Sequence, residues 1–156
     1  MKSLRIYVDT SVFGGCFDNE FKAASLKLFD EIRAGRFILL FSAATLRELK
    51  TAPEQVRAIL QSIPEQFLEA IEETPEVIEL RDAYLKAGIV TKKSTVDAEH
   101  IAAASVAGAD IIVSWNFKHI VHYDKIRGYR AVNLLNRYSH LIAIHSPKEV
   151  INNDGQ

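Results

Sequence analysis

Three acids and one amide stand out by where they fall in the chain. Asp9 ends an apolar run in RIYVDTSVF, Glu48 lies in LRELK, Asp97 follows a serine by three residues in STVD, and Asn116 comes just after DIIVSW. A buried aspartate without a partner is costly, so Asp9 must either cap a turn or hold something positive. Carboxylates gathered at one point raise each other's pKa unless a cation lies among them. Oxygen donors of this kind suit a hard divalent ion, Mg²⁺ or Mn²⁺, which also binds phosphate. Such an ion activates water and offsets charge on a phosphodiester, so the chemistry in view is metal-assisted hydrolysis.

Each residue also has a local explanation. Asp9 can bond the backbone of its own DTS turn, and Asn116 can do the same in the turn that follows it. STVD is a Ser-x-x-acid capping pattern, and an acid in a first helical turn suits the helix dipole. Glu48 alone reads as a solvated helix residue. Separate local explanations do not require all four to meet, so the elements that carry them decide the matter.

Leu4 to Val8 is short and apolar on both faces, as expected of a central parallel strand. After a turn at Gly14 and Gly15, Phe21, Ala24, Leu28 and Ile32 follow helical spacing up to Gly35. RFILLFS is a second such strand, with Ser42 as N-cap of the helix AATLRELK. From Pro53 to Gly88 the composition is helical, broken at Pro64 and Pro75, and suggests an inserted helical segment or lid whose apolar positions offer a dimer face. STVDAEHIAAASVAGA is a small-residue helix ending at Gly108, DIIVSW is a strand, Val121 to Asn136 is a helix, LIAIHSP is a last strand, and Pro147 begins a terminal turn or helix.

Strands alternating with helices imply right-handed crossovers and a mainly parallel sheet covered on both faces, an α/β fold. In such sheets ligands bind beyond the carboxyl ends of the strands. Asp9 and Asn116 follow strands, and Asp97 opens a helix that faces the same edge. Glu48 lies about six residues past Ser42, roughly 9 Å along a helix whose side chains lean back toward its N-terminus. All four are therefore expected at one edge.

The 156 residues suit one domain, taken as residues 1–151 with 152–156 as a polar, frayed tail. Nineteen Lys plus Arg against twenty Asp plus Glu give a net charge of −1, so no overall positive field advertises nucleic acid. Cys16 is the only cysteine, which excludes an intrachain disulfide and fits a reducing compartment. No stretch approaches a membrane span or a signal peptide, and the expected location is cytoplasmic.

The pieces IYVDTSV, LRELK, VDAEHIAAASVAGADIIVSWNFKHI and IAIHSPKEVI resemble, in order, the PIN-domain nucleases, particularly the small VapC-type toxins of toxin–antitoxin pairs. The resemblance implies a three-layer α/β/α sandwich and Mg²⁺- or Mn²⁺-dependent cleavage of RNA. It also implies frequent homodimers and, among the toxins, an antitoxin partner. Asp9, Glu48 and Asp97 match the acidic ligands, and Thr10 or Ser11 matches the hydroxyl beside the first. Asn116 departs from the aspartate many members carry there; it can ligate through its carbonyl oxygen but brings no charge. Lys118 and His119 are candidates for a substrate phosphate, Lys92 and Lys93 for a basic rim. His100 reads as a structural residue, and Trp115 and Phe117 as base-stacking or packing residues.

Two rival readings remain. The neutral Asn116 fits a PIN-fold RNA- or protein-binding module with weak chemistry. A phosphatase or phospho-acceptor domain using Asp9 as nucleophile ranks lower, because Ser11 stands where a second aspartate is expected.

Overall fold

The both-faces-apolar run at the N-terminus becomes β1 (Leu4–Val8), the central strand of the computed structural model, which describes residues 2–138 and 140–152. It is flanked by β2 (Phe37–Phe41) and β4 (Ile111–Val113), with β3 (Leu68–Ala70) and β5 (Ala143–His145) at the edges, in the order β3-β2-β1-β4-β5. Every pairing is parallel; Ile6 faces Leu39 on one side and Ile111 on the other.

Strand alternation divides the core. Tyr7, Leu40, Ile112 and Ile144 point to one face, where they meet α5 (Pro75–Lys86), α6 (Thr95–Ala107) and α7 (Tyr123–Leu135). Ile6, Val8, Leu39 and Val113 point to the other, against α1 (Thr10–Gly15), α2 (Lys22–Arg33), α4 (Glu54–Gln61) and α8 (Pro147–Asn152). The result is the expected helix–sheet–helix sandwich. α3 (Ala43–Lys50) starts where predicted: the Ser42 hydroxyl accepts from the Thr45 backbone N–H, and the Thr45 hydroxyl accepts from the Ser42 N–H.

The segment from Pro53 to Gly88 departs from the reading of it as a helical lid. It contains the edge strand β3 as well as α4 and α5, and Val77, Leu80 and Tyr84 of α5 are fully in the core. Three residues are too few to show strand periodicity, so Leu-Glu-Ala passes as helical composition. Glu69 of β3 receives a two-pronged bond from the Arg5 guanidinium, at 3.0 and 2.6 Å, which secures the strand across β2. Among the described residues the most exposed large apolar side chains lie outside this segment, in Leu134, Leu135 and Leu141 for example. Thr10 to Gly15, expected as a turn, is a short helix. Asn152 closes α8, and the remaining tail residues 153–156 lie outside the described residues. No helix among the described residues is long and apolar enough to cross a membrane.

Gly108 ends α6 in the left-handed region at φ +70°, with nothing within 4 Å of where a Cβ would sit; Gly35, at φ +85°, would place a Cβ 2.8 Å from the Phe67 ring. Gly108→Ala therefore meets only backbone strain and is expected to cost about 1–2 kcal/mol. Gly35→Ala must also displace the ring and should cost more. Urea denaturation of both variants checks the order.

Candidate metal centre

β1 delivers Asp9 to the carboxyl edge of the sheet, where its backbone N–H donates to Val113 O at 2.9 Å and extends the ladder to β4. Asp9 is the N-cap of α1, yet its side chain makes no capping bond. Its Oδ2 accepts instead from the hydroxyls of Ser11 and Ser114, both at 2.8 Å. Oδ1 faces Thr10 Oγ1 and His100 Nε2, each at 3.5 Å. The local-turn explanation of Asp9 is not the one the chain adopts.

Glu48 reaches back from α3 as helix geometry requires. Its Oε1 accepts from Thr10 Oγ1 and pairs with His100 Nε2, each at 2.6 Å. Burial raises its pKa, but the hydrogen bond and charge of His100 and the Thr10 hydroxyl outweigh that, and the carboxyl sits below its ordinary 4.5. Thr10 thus bridges the strand–helix corner to α3, while Tyr7 Oη ties β1 to the N-cap of the same helix through Ser42 Oγ at 2.7 Å.

His100 is fully buried one turn beyond Asp97 on α6, with Nδ1 2.6 Å from Tyr7 Oη and Nε2 against Glu48. Burial disfavours its charge, but the Tyr7 hydroxyl and the Glu48 and Asp9 carboxylates prevail, and its pKa lies well above 6.5. Its Nε2–H donates to the Glu48 carboxylate. His100 is structurally satisfied, as its sequence context suggests, but it is satisfied inside the carboxylate cluster. Its i+3 spacing from Asp97 was the available sign.

Asp97 lies in the first turn of α6 and is half-buried. Ser94 makes no side-chain capping bond, so the capping pattern in STVD is not realised. No hydrogen bond to the Asp97 carboxylate occurs among the described residues. Burial and the neighbouring Asp9 charge push its pKa up, opposed by His100 and His119. Asp97 is thus an electrostatically strained carboxylate beside two others. The donor atoms of Asp9, Glu48 and His100 lie within 4.8 Å of one another, a group Asp97 borders without joining.

Asn116 does not join it either. Its Oδ1 accepts from the backbone N–H groups of Lys118 and His119, at 3.2 and 2.9 Å, and holds its own turn. Its backbone N–H donates to Ser114 Oγ at 2.9 Å. Lys118 is exposed; His119 is half-buried, with Nδ1 lacking a hydrogen-bond partner. Lys92 and Lys93 are exposed just ahead of α6.

The sequence profile of the PIN domain matches residues 5–118, a span that contains Asp9, Glu48, Asp97 and Asn116. The chain belongs to the PIN-domain family. Among solved structures this PIN chain is similar to one chain of the structure of FitAB bound to an IR36 DNA fragment, with TM-score 0.54 and 14% identity over 91% of this chain and 94% of that one. At that identity the likeness is one of fold. No curated protein matches the sequence.

Oxygens of Asp9 and Glu48 and a ring nitrogen of His100 lie close enough together to hold a metal ion, with the Asp97 carboxylate beside them. A carboxyl whose pKa is raised on folding costs stability once ionised, so that cost is present above the unfolded value and relieved as the group protonates. Asp97→Asn is therefore expected to raise Tm at neutral pH in EDTA, and the gain should fade in acid. For His100 the sign is opposite: its raised value contributes stability that is full below 6.5 and lost as pH rises through the folded value. His100→Gln should narrow the stability gap to wild type at alkaline pH, read by denaturation across pH in EDTA.

Proposed function

We propose that this protein is a metal-dependent endoribonuclease. The observation that supports the reading best is the convergence of Asp9, Glu48 and His100 at the carboxyl edge of β1, bordered by the unpartnered Asp97. Asp9, Glu48 and Asp97 would hold Mg²⁺ or Mn²⁺, and Asn116 would contribute through the turn it fixes. When bound, such an ion lowers the pKa of water and offsets charge on the phosphodiester.

The chain's own groups arrange that chemistry. Ser11 and Ser114 donate to one oxygen of Asp9 and hold the carboxylate with its other oxygen inward. Thr10 donates to Glu48 Oε1, the oxygen that also faces His100, and so fixes that carboxylate from within the cluster. His100 holds a proton at Nε2, on the Glu48 side, and orients that carboxylate. Lys118, exposed at the following turn, would meet a substrate phosphate, with His119 beside it. Water adds to phosphorus, the bond to the 3′-oxygen breaks, and a proton from the water ends on that oxygen. The products are 5′-phosphate and 3′-hydroxyl ends.

The likeness of the motifs to small PIN toxins extends the proposal to the toxin of a toxin–antitoxin pair, acting in the cytoplasm as a homodimer neutralised by an antitoxin protein. The proposed catalytic domain is residues 1–151. A second reading, a binding module with weak chemistry, is favoured by Asn116, whose carbonyl oxygen is committed to its own turn.

Cleavage of a mixed RNA pool with and without Mn²⁺ separates the two. Under the nuclease reading EDTA abolishes cleavage and Asp9→Ala lowers it at least about a hundredfold, as expected when several kcal/mol of charge stabilisation is removed. Activity indifferent to both changes contradicts the mechanism; RNA binding without cleavage by wild type supports the module.

A further inference from the structure

Beside the carboxylates the sheet edge carries an aromatic shelf. Trp115, just past β4, stacks on Phe21 with ring centroids 4.2 Å apart and 24° between planes, and Phe117 meets it edge-on at 6.1 Å. The indole is fixed in place: Nε1 donates to Ser25 Oγ at 2.8 Å, and the backbone N–H donates to Ser11 Oγ at 3.0 Å. Gly15 permits this approach, since a Cβ there would stand 2.6 Å from Ser25 Oγ and 2.8 Å from the indole nitrogen. Ser11 is also the hydroxyl that donates to Asp9, so one side chain links shelf and carboxylate.

Two adjoining clefts share Phe21 and Trp115. The inner one passes Ser11 and Asn116; the outer one is largely apolar, is lined by Phe117, and has Lys27 and Lys148 at its margin. Phe117 is 49% exposed, so its ring is open to a ligand in the outer cleft. Glu20 is the one acid lining the outer cleft among the described residues.

We propose that the outer cleft is a subsite for an unpaired nucleobase of the RNA strand whose phosphodiester lies at the carboxylates. The inference rests on the ribonuclease reading and specifies how the substrate is held. A base presents a flat π-face whatever its identity, which suits a shelf of indole and phenyl rings. The backbone that flanks it brings negative charge, which the two lysines match. A duplex keeps its bases stacked inside, so the shelf selects single-stranded segments.

Trp115 is the only tryptophan, so its emission reports the shelf directly. Full-length protein in EDTA is titrated with a short oligoadenylate and with an abasic ribose-phosphate polymer of equal length. Saturable quenching by oligoadenylate, absent with the abasic polymer, is expected. Phe117→Ala should weaken the oligoadenylate affinity roughly tenfold and Phe117→Tyr should restore it. Equal quenching by both polymers, or unchanged affinity in Phe117→Ala, overturns the subsite. Quenching by neither also overturns it. Failure of the nuclease reading shows separately, as RNA left intact with Mn²⁺ by a protein that still responds to oligoadenylate.

Discussion

The arrangement depends on how negative charge is held at the end of β1. Asp9 and Glu48 come from elements far apart in sequence and turn oxygens to one point, where mutual repulsion would otherwise protonate one or drive both apart. The chain answers with hydroxyls and with one buried histidine. Ser11 and Ser114 saturate the outward oxygen of Asp9, Thr10 donates to Glu48 Oε1, and His100 lies between the two carboxylates at 2.6 Å from Glu48 and 3.5 Å from Asp9. His100 is itself anchored through Tyr7, on β1, to the capping box of α3. The network therefore closes a ring through β1, α3 and α6, and each member holds the next.

Asp97 is left out of this settlement. It is half-buried, near both other carboxylates, and without a donor among the described residues, so its charge is the least well compensated in the cluster. Groups that destabilise the folded chain in this way mark sites where binding, rather than folding, supplies the missing partner. The sheet makes such a cluster possible. Parallel strands place their carboxyl ends and the N-termini of the following helices on one edge, so residues from positions 9, 48, 97 and 100 arrive without long connecting loops.

Much of this geometry is legible in the sequence, because it follows from short, strong patterns. β1 and β2 announce themselves as apolar on both faces, and Ser42 marks the start of α3 so clearly that the reach of Glu48 follows from helix rise alone. That Asp97, in the first turn of α6, faces the same edge is likewise a matter of helix direction. β3 is hidden because Leu-Glu-Ala carries no period and its pairing depends on Arg5, which is 64 residues away. α1 is hidden because DTSVFGG reads as turn chemistry. His100 is underrated because burial on a small-residue helix suggests packing; only its partners reveal the charge. Asn116 is placed correctly at the edge, but its carbonyl oxygen serves the turn that follows, a local competition that spacing does not resolve.

The central claim is that these carboxylates form one binding site for a hard divalent cation. Calorimetric titration of the metal-free protein with Mn²⁺, in parallel with Asp9→Asn, tests it without reference to any substrate. The account predicts saturable binding by wild type and its loss in a variant that remains folded by circular dichroism. Absence of binding by folded wild type, or equal binding by both proteins, would contradict it.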